Sequence, residues 1–238
     1  MVFCPYVSLW RDKNKKLAVC YHRYATMQEF IFSGAQIAVL VMSVVIHEVS
    51  HGYAAYFLGD STAKFSGRLT LNPLRHLDPV GSVLIPASLI LLNAPLLIGW
   101  ALPVPYNPAN LRGGKWGSAW VAFAGPFSNI AIALGFGLTL RVLMLSSLLS
   151  PELLVILTAI VYINIALAIF NLIPIPPLDG SKVLSAFLPG RLYRLGNALE
   201  RRAGTAGFLI LFALLLYFSP YFFGFVADLA ARLSGVRL

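Results

Sequence analysis

The side chains of His47, Glu48 and His51 are the ones whose types and spacing are best suited to chemistry. Residues i and i+4 of a helix lie on the same face, so both imidazoles can point a ring nitrogen at one ion. Glu48 would then lie beside that ion, where it can take up and release protons. This spacing is typical of hydrolases in which zinc activates a water and the glutamate is the general base. The pattern therefore predicts a zinc hydrolase.

The alternative for the two histidines is a buried pair that only makes hydrogen bonds in the protein core. The surroundings of the motif argue against it, because no charged residue occurs from Phe30 to Ile46. An ionisable group without a partner is costly at such depth in an apolar environment. Metal binding is therefore the favoured interpretation of the histidine pair.

A catalytic zinc usually has three protein ligands and an open fourth position, so the two histidines need a partner. The other acidic side chains after residue 26 and the two remaining histidines are Glu29, Asp60, Asp78, Glu152, Asp179, Glu200, Asp228, His22 and His76. Asp179 follows a broken helix end beside an apolar run, and Gly180 gives its backbone freedom. The alternative is that Asp179 caps a helix beginning near Ser181. The residues alone leave both roles open.

The composition indicates an integral membrane protein. Of the 238 residues, 58% are hydrophobic and 11% are charged, whereas soluble domains carry about 25% charged residues. Apolar runs long enough to span a bilayer are Phe30–Leu58, Val80–Leu111, Gly117–Leu140, Leu153–Leu178 and Ala203–Ala227. Such segments must be helical, because lipid cannot satisfy free backbone amides.

These runs predict an all-α polytopic membrane protein with about four to six transmembrane or re-entrant helices. The prolines of Val80–Leu111 favour a re-entrant element, with a full span as the alternative. Polar and apolar residues alternate over Lys64–Leu71, before the turn signals Asn72–Pro73 and Asp78–Pro79. This alternation predicts a small membrane-associated β-hairpin or sheet after the first core helix.

The chain is expected to contain one folded unit, a single membrane-embedded domain over residues 27–238. Residues 1–26 are interpreted as a basic lead, either a flexible, disordered tail or sequence upstream of a start at Met27. The net charge of +9 does not indicate a nucleic-acid partner, because the 18 lysines and arginines lie between the apolar segments. Their expected roles are orientation by the positive-inside rule and contact with the lipid bilayer.

Three motifs give the chain a resemblance to a known family. They are HEVSHGYAAYFLGD at His47–Asp60, AGPFSN at Ala124–Asn129 and NLIPIPPLDG at Asn171–Gly180. In this order, and in or beside apolar segments, they resemble the site-2 protease family of intramembrane zinc metalloproteases. The resemblance extends from about Met27 to Phe225 and is nearest to the compact prokaryotic branch, which has no PDZ or CBS domains.

The resemblance implies a role for each residue that matches the family's motifs. His47, His51 and Asp179 would be the ligands of one Zn²⁺ per chain, and Glu48 would be the general base. With the whole motif present around Asp179, a ligand is favoured over a helix cap.

The resemblance also implies a role for an asparagine near the substrate or its oxyanion. Asn171, which opens the third motif, is the first candidate, because its amide could donate to a tetrahedral intermediate. Capping of a broken helix is the alternative for this residue. Asn129 is a second candidate, although an amide in a membrane helix often only joins neighbouring helices. The same structural role is favoured for Asn164.

The function implied is hydrolysis of peptide bonds in or near transmembrane segments of membrane proteins, in the plasma membrane of a prokaryote. An extended substrate strand would dock on the Lys64–Leu71 edge by β-augmentation. Two alternatives remain, a catalytically inactive protease-like scaffold and a membrane zinc carrier. The sequence gives no indication of oligomeric state.

Overall fold

The computed structural model describes residues 13–84, 88, 91, 101–146, 149–190, 192, 213–214 and 217–236, with side chains given from residue 33 onward except at 82 and 83. The helices are α1 (Lys13–Phe57), α2 (Thr62–Phe65), α3 (Lys115–Met144), α4 (Pro151–Leu172) and α5 (Asp179–Phe187). Residues 217–234 are also helical. Short 3₁₀ turns occupy Pro73–Arg75 and Pro108–Asn110, and a π turn occupies Pro79–Leu84.

Three of these helical stretches are long and apolar enough to cross a membrane. They are Ser33–Phe57 in α1, all of α3 and all of α4. Each coincides with one of the apolar runs of the sequence, because a backbone in lipid must satisfy its hydrogen bonds within the segment. The prediction of a mostly helical, multi-pass membrane protein is thus confirmed.

Two further runs fall partly outside the described residues. Most of Val80–Leu111 between residues 85 and 100 is not described, so the choice between a re-entrant and a spanning element there is not addressed. Residues 203–212, 215 and 216 of Ala203–Ala227 are likewise not described. Residues 101–107 of the first run form no helix, and the backbone N–H of Val104 in this segment contacts Glu48 of α1.

The predicted β-hairpin is wrong. The Lys64–Leu71 stretch begins inside α2 and continues as turns, and β-type pairing within the described ranges is limited to one bridge between Leu77 and Ala101. Local capping explains the difference, because Asn72 accepts a hydrogen bond from the backbone N–H of Leu74 and so favours a turn over a ladder. The strand edge expected to dock a substrate is therefore absent from this described stretch.

Helix α3 lies at the centre of the structure and packs against α1, α4 and α5. Its buried face consists mainly of small residues, which let neighbouring helices approach closely. Ala133 of this face joins an apolar core with Val161 and Ile165 of α4, and with Val226 and Ala230 of the C-terminal helical segment. This arrangement brings the HEVSH turn of α1 against the AGPFSN turn of α3.

Candidate active site

Helix α1 places His47 and His51 one turn apart with their rings buried. The two residues are 6% and 8% exposed, and the ring centroids are 4.6 Å apart with an interplanar angle of 89°. Their Nε2 atoms are 3.0 Å apart. Both imidazoles therefore direct the same nitrogen to one point, as the i, i+4 spacing predicted.

Asp179 reaches this point from the start of α5. Gly180 makes the approach possible, since a Cβ there would lie 2.6 Å from the carbonyl oxygen of Ile173 and closer still to that of Leu172. Asp179 Oδ2 lies 3.2 Å from Nε2 of His47 and 3.2 Å from Nε2 of His51. The start of α5 has no side-chain cap, so the carboxylate faces the histidines instead of its own helix.

Asp179 is held as an anion. Burial by itself would raise its pKa, but the contacts with His47 and His51 outweigh burial and hold the pKa well below the usual carboxyl range. An ionised carboxylate is the form that can bind a cation.

Hydrogen bonds on the far side of the two rings determine which nitrogens carry protons. Nδ1 of His51 lies 2.7 Å from the carbonyl oxygen of Val121, which can only accept, so this nitrogen carries the proton. Nδ1 of His47 lies 2.6 Å from Oδ1 of Asn129. In the neutral imidazoles both Nε2 atoms therefore present lone pairs.

A buried chain of amides sets the orientation of Asn129. Nδ2 of Asn164 donates to the carbonyl of Ile160 at 2.8 Å and to Oγ of Ser43 at 2.9 Å. Its Oδ1 must then face Asn129, whose Nδ2 donates to it at 2.8 Å. Asn129 is consequently left with Oδ1 toward His47, and both asparagines are fully buried.

The three converging atoms fit a zinc ion. The two Nε2 atoms and one carboxylate oxygen lie 3.0 to 3.2 Å apart, so a cation between them would replace any proton that the Nε2 atoms share with Asp179. Ligands about 2.0 Å from a tetrahedral zinc are about 3.3 Å apart, so the observed spacing needs little adjustment. Within the described part of the chain, this is a cluster of potential ligands that could hold a metal. Three protein ligands leave the fourth position to water or substrate.

Gly125 of α3 leaves room for the two rings. A Cβ at this position would lie 2.7 Å from Cε1 of His47 and closer still to Nε2 of His51. Gly125 is part of the AGPFSN motif, but only the packing of α3 against α1 shows that this position faces the two rings. The absence of a side chain here is what lets α3 lie directly against the face of α1 that carries His47 and His51.

Glu48 points to a different neighbour. Its Oε2 accepts a hydrogen bond from the backbone N–H of Val104 at 3.0 Å, and the residue is half-buried. Nothing in the sequence around Val104 indicated this contact, because the two residues are 56 positions apart.

The two asparagines predicted near the substrate lie in different surroundings. Both polar atoms of Asn129 are engaged with His47 and Asn164, behind the ligand ring. Asn171 is half-buried near the end of α4, and its Nδ2 donates to the carbonyl of Leu167 at 3.0 Å. Asn129 therefore fixes the orientation of the His47 ring, whereas Asn171 makes the bond of a helix-end amide.

Replacing Asn164 by leucine is expected to weaken zinc binding about 10- to 100-fold, the usual effect of losing an outer-shell partner. Without the Asn164 amide, Asn129 is free to rotate and to present its NH₂ group to Nδ1 of His47. Zinc affinity measured by competition with a chelator tests this. Thr158→Val on the same helix removes a buried hydroxyl that has no hydrogen-bond partner among the described residues and should leave the affinity unchanged. Unchanged affinity in Asn164→Leu would contradict the role of the amide chain.

Comparisons with known proteins agree with this site. The profile of peptidase family M50 matches residues 109–218. "Putative zinc metalloprotease YwhC" of Bacillus subtilis is 35% identical over 76% of this chain and 78% of its own. "Putative zinc metalloprotease Rip2" is 29% identical in Mycobacterium tuberculosis, over 89% of this chain and 79% of its own, and 31% identical in Mycolicibacterium smegmatis, over 80% and 71%. No solved structure matches the chain.

These relatives share most of their length with the chain, so the likeness extends beyond a short motif. The resemblance to site-2 proteases is confirmed, and so are the expected zinc cofactor and hydrolase class. The chain belongs to peptidase family M50 and is a zinc metalloprotease of the membrane.

Proposed function

We propose that this protein hydrolyses peptide bonds in or near the transmembrane segments of membrane proteins, in the plasma membrane of a prokaryote. One observation carries the proposal. Nε2 of His47, Nε2 of His51 and Oδ2 of Asp179 converge within 3.2 Å, and both histidines lie on a helix long enough to span a bilayer. A water-consuming site at that place suits a substrate that is itself in the membrane.

We assign the ligand set to His47, His51 and Asp179. Zinc bound there would supply Lewis acidity and lower the pKa of a water. Nδ1 protons held by Val121 and Asn129 keep both Nε2 lone pairs directed at the ion. The anionic Asp179 balances part of the ion's charge in a buried setting.

Glu48 is assigned the proton transfers. As general base its carboxylate takes a proton from the attacking water, and as general acid it returns this proton to the leaving amine. Asn171 remains our candidate for a donor to the substrate carbonyl or oxyanion, which requires its amide to leave the Leu167 carbonyl. For Asn129 we favour orientation of His47, because its amide has no hydrogen-bonding capacity directed outward.

A membrane substrate poses a second chemical requirement. The carbonyls of a transmembrane helix are hydrogen-bonded within the helix, so a scissile bond must be unwound before it can enter the site. Substrates with helix-breaking residues near the cleavage point should therefore be cut faster than uniformly helical ones.

Zinc content tests the proposal without knowledge of the substrate. Detergent-purified wild type should hold about one zinc per chain, and Asp179→Ala should bind zinc at least about tenfold more weakly because one of three ligands is lost. Metal analysis after dialysis against a chelator series measures both. Asp228→Ala is the matched control, since Asp228 is an exposed carboxylate paired with Arg232 and should keep full zinc content. A folded wild type without zinc would refute the proposed mechanism.

A further inference from the structure

The extended segment of residues 101–107 lies beside the active-site helix and is attached to the protein by backbone N–H groups. Leu102 N–H donates to the carbonyl of His76 at 2.8 Å, next to the bridge between Leu77 and Ala101. Val104 N–H donates to Oε2 of Glu48 at 3.0 Å. The hydrogen bond from Val104, in the middle of the segment, is therefore made to Glu48, the carboxylate assigned to proton transfer.

A second anchor holds the far end of the segment. Asn107 N–H donates to Oδ2 of Asp60 at 2.7 Å, and Asn110 Nδ2 donates to Oδ1 at 2.9 Å. Asp60 is fully buried, and it also accepts a hydrogen bond from Oγ1 of Thr62 at 2.6 Å. Burial by itself would raise the pKa of Asp60, but the bonds from Thr62, Asn110 and Asn107 outweigh burial and lower it. This carboxylate has no part in the proposed chemistry, and its contacts serve to hold the segment.

Close packing fixes the middle of the segment against α1. Val104 is 5% exposed, and a Cβ at Gly52 would lie 2.8 Å from its Cγ1 atom. Gly52 comes directly after the ligand His51, so the segment touches the turn that carries the metal-binding face. A larger residue at position 52 would push Val104 away from Glu48.

Two prolines make Val104 the only backbone donor in the tripeptide Pro103–Pro105. Both prolines lack an N–H and have a restricted φ, so the tripeptide loses little conformational freedom when it is held. The one N–H available between them goes to Glu48. On either side of this contact the segment is anchored by the bond from Leu102 N–H to the His76 carbonyl and by the bond to Asp60. The composition of the segment thus suits a rigid, single-donor contact.

We propose that Val104 is a positioning residue, whose backbone N–H holds one oxygen of Glu48 and leaves the other free for the proton of the attacking water. The 101–107 segment is then part of the catalytic machinery, kept in place by Asp60. This inference rests on the proposed function, because it assigns a purpose to the orientation of Glu48. A hydrogen bond to a charged group, if lost, lowers the rate about 10- to 100-fold.

Replacement of the Val104 amide by an ester tests the catalytic part of the proposal. The α-hydroxy analogue of valine at position 104 removes the N–H and keeps the side chain. The same change at Leu153, whose N–H donates to Oγ of Ser150 at the start of α4, is the control. Cleavage is followed with a synthetic single-span transmembrane peptide that carries a fluorophore and a quencher. We expect kcat to fall at least about tenfold for the Val104 ester, with KM and zinc content unchanged, and to change less than about threefold for the Leu153 ester.

Amide hydrogen exchange supplies a readout that does not depend on activity. With ¹⁵N-labelled valine, the Val104 amide of wild type should exchange at least about tenfold more slowly than that of Glu48→Ala, because its acceptor is removed. Equal exchange rates, or a Val104 ester with wild-type kcat, would overturn the positioning role. A zinc-loaded wild type that cleaves no peptide would instead overturn the proposed function, and the exchange measurement would still decide whether Val104 holds Glu48.

Discussion

Glu48→Gln should abolish peptide-bond cleavage, with kcat reduced about a thousandfold, while zinc content stays at the wild-type level. General acid–base catalysis typically contributes about 10²- to 10⁴-fold, and glutamine cannot take up a proton at neutral pH. The substitution keeps the size of the side chain and an oxygen that can accept from Val104 N–H. The variant therefore separates loss of proton transfer from loss of structure.

Activity and metal content must be measured on the same preparation for this test. Single-turnover cleavage of the quenched transmembrane peptide gives the rate, and elemental analysis gives the zinc content. Glu152→Gln is a matched control, because Glu152 is an exposed carboxylate in the first turn of α4. This variant should retain full activity. If Glu48→Gln kept more than about a tenth of the wild-type rate, another group would have to be the base.

Gly125→Ala should remove zinc and activity together, although it adds a single methyl group. That methyl would lie 2.7 Å from Cε1 of His47 and closer to Nε2 of His51, so α3 must move away or the rings must turn. Either change separates ligand atoms that now lie 3.0 to 3.2 Å apart. We expect zinc affinity to fall at least about 100-fold, beyond the usual effect of an outer-shell change.

A second glycine on the same helix gives this prediction its control. Gly135 of α3 has nothing described within 4 Å of the position where a Cβ would be, so Gly135→Ala adds the same methyl into open space. Both substitutions raise helix propensity by about 1 kcal/mol, so any difference between them reports the contact with the histidines. Zinc titration and thermal unfolding of the two variants, side by side, make the comparison. Equal zinc affinity in the two would show that the rings do not need the space at Gly125.

Two separate sets of contacts support the site, one from the amides of Asn164 and Asn129 and one from the 101–107 segment. Asn164 contacts Asn129, which in turn contacts the proposed ligand His47, whereas Val104 contacts Glu48. Loss of the Asn164–Asn129 contacts should weaken zinc binding and leave Glu48 in place. Loss of the Val104 contact should lower kcat and leave the zinc content unchanged. Measuring zinc affinity and kcat in both sets of variants therefore distinguishes positioning of the metal from positioning of the base.

Features that depend on neighbouring residues in the chain were predictable from the sequence. The helical periodicity of α1 brings His47 and His51 to one face, and the lack of charge over Phe30–Ile46 puts them in a membrane segment. The residue type of Asp179 and its place after a helix end are compatible with a helix cap as well as with a metal ligand. The surrounding motif favoured the ligand role, and only folding over 132 positions brings the carboxylate to His47.

The β-hairpin was predicted wrongly for a related reason. Alternation over Lys64–Leu71 is compatible with a strand, but a strand needs a partner, and alternation says nothing about where that partner lies. In the structure, local side-chain bonds such as that of Asn72 to Leu74 N–H satisfy the backbone in turns instead.

The sequence by itself determined the chemistry of this protein, namely a histidine pair with a glutamate on one helical turn inside an apolar helix. These properties follow from residue types and from the period of the helix, which are local. The tertiary structure alone decided which groups hold that chemistry in place: Asn129 on His47 from 82 positions away and Val104 on Glu48 from 56 positions away. Such contacts depend on how closely α3 and the 101–107 segment pack against α1, and no local pattern in the chain encodes that distance.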